Sequence, residues 1–95
     1  MIVPVNRKIT MPVVFRVSGL RYFFFSNEGQ PAEPPHVHVK GGGRDAKVWL
    51  EPDVVLADSY GFNPRELSTI LRTVAANRAL ILKAWHDHFG NQRPL

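Results

Sequence analysis

Two short runs in strict alternation constrain this chain more than anything else in it: His36-Val37-His38-Val39-Lys40 and Ala46-Lys47-Val48-Trp49-Leu50-Glu51. Between them lies Gly41-Gly42-Gly43-Arg44-Asp45, a turn sequence. In a strand, successive side chains point to opposite faces, so a period of two sorts residues by side. Val37, Val39, Ala46, Val48 and Leu50 form an apolar side, whereas His36, His38, Lys40, Lys47, Trp49 and Glu51 form the other. Two registers keep these sets apart. One sets Glu51 beside His36 and Trp49 beside His38; the other sets Trp49 beside His36 and Lys47 beside His38. Either way, imidazoles, ammonium groups, an indole and a carboxylate share one face of a hairpin.

The flanking sequence supplies the rest of a small sheet. Val13-Val14-Phe15-Arg16-Val17 and Leu20-Arg21-Tyr22-Phe23-Phe24-Phe25 are β-branched and aromatic runs split by Ser18-Gly19, a two-residue hairpin signal. That turn sets Val17 opposite Leu20, Phe15 opposite Tyr22 and Val13 opposite Phe24, and it opposes Arg16 to Arg21. Like charges across a pair repel unless water or an anion lies between them. Asn27 to Pro35 reads as a loop, with Asn27-Glu28-Gly29 as its turn and Pro31, Pro34 and Pro35 removing backbone donors. Val54-Val55-Leu56 predicts a short fifth strand, closed by Gly61.

At Asn63 the period becomes helical. Asn63 suits an N-cap, Pro64 the first helical position, and Glu66 completes a capping box. Leu67, Ile70, Leu71 and Val74 mark one apolar stripe; Ile81, Leu82, Trp85 and Phe89 mark another. Asn77-Arg78 interrupts them, so the segment is either one bent helix or two short ones, ended by Gly90. The expected fold is α+β: a four- to five-stranded, mostly antiparallel sheet packed on one face by the C-terminal helical segment. Its core should join Leu67, Ile70, Leu71, Val74, Ile81, Trp85 and Phe89 to Phe15, Tyr22, Val37, Val39, Val48 and Leu50. The expected organisation is a lead over residues 1–11, one domain over 12–90 and a tail over 91–95.

Composition then bounds the function. A chain of 95 residues forms one domain with a small core, so a site is expected as a shallow face rather than a deep cavity. The absence of Cys excludes a disulfide framework, a thiolate zinc site and a cysteine nucleophile. The net charge is +4 and the pI near 10.0, which suits nucleic acid or an acidic protein as partner and also plain solubility. Acidic Asp45, Glu51, Asp53 and Asp58 gather in mid-chain, so the basic excess is split between the ends. No stretch is long and apolar enough for a membrane span, and the first ten residues lack the apolar core of a signal peptide. The cytoplasm is the expected compartment.

The polar face of the central hairpin suits phosphodiester chemistry. Two imidazoles can act as base and acid because imidazole exists in both protonation states near neutral pH. Here these are His36 and His38, with Glu51 as a further catalytic candidate. Lys40, Arg44 and Lys47 are candidate anion contacts, Trp49 offers a stacking surface for an unpaired base, and the Arg16/Arg21 pair is a second anion-binding candidate. The plain alternative is a solvated outer face of a one-sided sheet. His36 and His38 are also spaced for chelation on a strand. His86 and His88, two apart on a helix, diverge by about 200° and cannot hold one ion together. No metal and no cofactor are expected.

From Met11-Pro12 to Gly90 the chain resembles a family of small bacterial and phage-borne proteins, domain of unknown function 4160. The resemblance rests on Phe25-Ser26-Asn27-Glu28, Pro34-Pro35-His36-Val37-His38-Val39 and Ala46-Lys47-Val48-Trp49-Leu50-Glu51-Pro52, continued by Gly61-Phe62, Glu66-Leu67, Trp85 and Phe89-Gly90. It implies half of a toxin–antitoxin-like pair beside a second small protein, and it brings no established catalytic residues. Two function classes follow. One is a toxin-like protein acting on or binding RNA through the His/Lys/Trp face. The other is a non-enzymatic module that docks a cognate small protein, and DNA as a regulator; a homo-oligomer fits either.

Overall fold

The computed structural model describes residues 12–25 and 33–90. The expected lead, the Asn27-Glu28-Gly29 turn and the tail lie outside the described residues. Strands β1 (Val13–Val17), β2 (Leu20–Phe23), β3 (His36–Gly41), β4 (Arg44–Trp49) and β5 (Val55–Tyr60) precede helices α1 (Pro64–Ala76) and α2 (Arg78–Phe89). The strands form one antiparallel sheet in chain order, and the two helices follow it, an α+β fold.

Turn chemistry sets the registers. Ser18 (φ 52°) with Gly19 (φ 78°), and Gly42 (φ 60°) with Gly43 (φ 77°), lie in the left-handed region, as two-residue hairpin turns require. With Gly42-Gly43 as the turn, Gly41 pairs with Arg44, which leaves His36 opposite Trp49 and His38 opposite Lys47. Gly41 also has no room for a side chain, because a Cβ there would lie 2.7 Å from the Gly19 carbonyl oxygen. The two turns are therefore packed against each other.

The first hairpin follows the expected pairing at Val17↔Leu20, Arg16↔Arg21 and Phe15↔Tyr22. It then departs from it: Val13 pairs with Phe23, not Phe24. An extra residue on β1, Val14, forms a bulge, and the Phe24 N–H donates instead to the Pro12 carbonyl at 3.1 Å. A second irregularity falls in β5, where Lys47 pairs with Asp58 but Val48 pairs with Leu56. Both edge strands thus carry a bulge, a device that discourages strand addition at an open edge.

The capping box at Asn63 forms in full. The Glu66 N–H donates to Asn63 Oδ1 at 2.8 Å, and the Asn63 N–H donates to Glu66 Oε1 at 2.9 Å. Asn77 separates two helices: its Nδ2 donates back to the Thr73 carbonyl at 2.8 Å, closing α1, and its side chain does not cap α2. Arg78 then ties this junction to the sheet, with Nε donating to the Leu50 carbonyl at 2.7 Å.

The helices cover the face that carries Tyr22, Phe24, Val37, Val39, Ala46, Val48 and Leu50, and Ile70, Val74, Ile81 and Trp85 are buried against it. Every residue expected in the core is in this cluster or packed on it. Burial pushes the Tyr22 phenol above its ordinary pKa of 10.0, and a hydrogen bond with Thr73 offsets part of that rise. Among the described residues, no helix is long and apolar enough to cross a membrane.

Candidate functional site

The sheet face turned away from the helices is built from cross-strand rows, each about 7 Å from the next. Nearest the hairpin turns run Arg16, Arg21, Lys40, Asp45 and Tyr60, one residue per strand and each paired with the next. The middle row holds Phe23, His38, Lys47 and Asp58. The far row holds His36, Trp49 and Val55. Cations and rings interleave across these rows. The Arg21 guanidinium lies 5.7 Å from the Phe23 ring centre, Lys40 Nζ 5.8 Å from that of Phe25, and Lys47 Nζ 4.5 Å from that of Trp49.

His38 sits within an aromatic cluster, stacked on Phe23 at 5.6 Å, edge-on to Phe25 at 4.7 Å and edge-on to His36 at 5.1 Å. It keeps partial exposure, as do Lys40, Lys47 and Trp49. His36 differs from the expected solvated position, because it is 0% exposed. Its ring packs on Trp49 at 5.4 Å and on Trp85, from the helix side, at 5.0 Å. Its Nδ1–H donates to the Pro34 carbonyl at 3.0 Å, since a carbonyl can only accept. Phe23, on the same face, is 0% exposed as well. Alternation assigns a side chain to a face; it does not say whether neighbouring rings close over it.

Two expected site residues lie apart from this cluster. Glu51 falls beyond the paired part of β4, exposed, with its carboxylate 4.0 Å from Arg78 Nη2. Arg44 donates to Glu66 Oε2 at 2.6 Å and to the Gly41 carbonyl at 3.1 Å, and its guanidinium lies 4.9 Å from the ring centre of the core residue Phe62. It anchors the β3–β4 turn to α1. His36, His38 and Glu51 are therefore not brought together as a catalytic set.

Glu33 is a further residue of this face. Its Oε1 lies 3.5 Å from Lys47 Nζ and 4.0 Å from His36 Nδ1, so it joins two residues of the face. It precedes Pro34-Pro35, outside any periodic run, and no pattern signals it. Among the described residues, no group of three or more His, Cys, Asp or Glu is arranged to hold a metal ion. His86 and His88 occupy the last turn of α2, where a cation favours the helix C-terminus.

Neither the curated proteins nor the solved structures gave a significant match to the chain. A family model described as a domain of unknown function (DUF4160) matches residues 19–86, a span that takes in all of β2 to β5, all of α1 and the part of α2 that carries Trp85; the chain belongs to that family.

Proposed function

We propose that the sheet face opposite the helices binds single-stranded RNA, in a toxin-like cytoplasmic protein of a two-gene module. The observation that carries this reading is the interleaving of Arg21, Lys40 and Lys47 with the partly exposed rings of Phe25 and Trp49, over a buried Phe23, on one face of a sheet whose other face is closed by helices. Unpaired bases stack on aromatic rings while cations follow the backbone, and a sheet face offers both at once. Full burial of His36 supports binding rather than a turnover shared by two imidazoles. His38, partly exposed between Phe25 and Lys47, is the imidazole in reach of a bound strand.

A second reading rests on Val55 and Tyr60, which are 51% and 70% exposed on the same side of β5. Apolar surface of this kind suits a cognate small protein docked on the face beside the edge, rather than added to the bulged edge itself.

Fluorescence anisotropy with a short unstructured RNA tests both. Trp49→Ala should weaken binding by roughly 5- to 150-fold, from ~1–3 kcal/mol of stacking on one base. Lys47→Ala should lower the slope of log affinity against log salt by about 1. No RNA binding by the wild-type chain overturns the first reading. Capture of the neighbouring gene's product, lost on Tyr60→Ala, would replace it with the second.

A further inference from the structure

We propose that the row beside the hairpin turns receives a terminal phosphomonoester of the bound RNA, so that the preferred substrate is a strand with a phosphorylated end; this rests on the RNA-binding reading above. Arg16 pairs with Arg21, and Arg21 with Lys40, so three cations stand directly opposed on three adjacent strands. Side chains so paired have Cβ atoms about 5 Å apart, and like charges at that spacing destabilise a sheet unless an anion lies between them. Asp45, opposite Lys40, offsets one charge and leaves the row at +2. An internal phosphodiester carries a single negative charge. A phosphomonoester carries about −1.5 to −2 near pH 7 and presents three acceptor oxygens. The row matches the monoester in charge, and its three cations can each meet one of the three oxygens.

The shape of the surface agrees. Arg21, Lys40, Asp45 and the side-chain-free Gly41-Gly42-Gly43 turn border a depression of about 360 Å³, with Arg16 beside it across Arg21 rather than in its wall. Arg44, which also borders it, is drawn to Glu66 and holds the Gly41 carbonyl, which fixes the turn without adding a fourth free cation to the row. Beyond this row the strands end in turns, whereas Phe23, Phe25 and Trp49 all lie on its other side. The basic row therefore terminates the face. A strand anchored there by its phosphate would run toward Trp49, about 13 Å away at ~3.3 Å per residue along the strands.

Competition against a labelled RNA reads this directly. Three unlabelled oligonucleotides of one sequence are compared, carrying a 5′-phosphate, a 3′-phosphate or hydroxyls at both ends. One phosphorylated form should compete at least tenfold better than the hydroxyl-ended one. The preference, read as the ratio of phosphorylated to hydroxyl-ended competition, should vanish in the combined variant Arg21→Gln, Lys40→Gln, although both forms lose affinity there. Equal competition by all three, on wild-type protein that binds RNA, overturns the terminal-phosphate proposal and leaves the RNA-binding reading intact. Failure of every oligonucleotide to bind overturns both.

Discussion

Replacing Trp85 with alanine should cost ~3–5 kcal/mol of stability, the range for removing a buried aromatic from a close-packed core. The indole is 2% exposed and meets Phe24 at 5.3 Å, His36 at 5.0 Å and Phe89 at 4.3 Å between ring centres. Those partners come from β2, β3 and the end of α2, so no single segment can move in to fill the space. Asn63→Ala provides the contrast. It removes an exposed cap whose partner N–H groups can turn to water, and it should cost only about 1 kcal/mol. For a domain whose total stability is of order 5–15 kcal/mol, the first change approaches the threshold of unfolding and the second does not. Chemical denaturation of both variants checks the ranking, and a larger loss for Asn63→Ala would displace the core from where Trp85 sits.

Phe23→Ala should cost a comparable ~3–5 kcal/mol, although Phe23 lies on the face away from the helices. The ring is fully buried, stacked on His38 and edge-on to Phe25 at 5.2 Å, beneath the reach of Arg21. On a solvated outer face the same change would fall within about 0.5 kcal/mol of neutral. The denaturation midpoint therefore distinguishes a second, smaller packed layer from a bare sheet surface. A near-neutral result would also remove the physical support for His38, whose ring rests on Phe23.

Much of this architecture was legible from periodicity. Alternation over residues 36–51 assigned Val37, Val39, Val48 and Leu50 to the covered face, and all four are fully buried there. The capping box at Asn63 and the stripes through Val74 and Trp85 located the helical segment, because caps and a 3.6-residue period are local properties. Register was not legible, since both candidate pairings segregate the faces equally well; the Gly42-Gly43 turn decides it. The bulge at Val14 was also invisible, as nothing in a β-branched run marks the residue left unpaired.

The candidate site was read in part. Lys47 and Trp49 came out beside the histidines because strand parity demands it. Glu51 did not, since the two-residue turn leaves it past the last paired residue. Arg44 stands at the foot of the turn, where it is drawn to Glu66, twenty-two residues on. Burial of His36 depends on Trp85 arriving from α2, a tertiary contact that no window of β3 contains. The Arg78 link from the helix junction to the Leu50 carbonyl is likewise a tertiary contact outside any local window.

Amide chemical shifts followed by NMR during titration with a short single-stranded RNA test the proposal that RNA lies on the sheet face rather than on the helices. The largest changes should fall at Arg21, His38, Lys40, Lys47 and Trp49, on β2, β3 and β4, and weaken together as salt is raised. Changes concentrated instead at Arg65, Arg72 and Lys83, on the solvent side of α1 and α2, would contradict it.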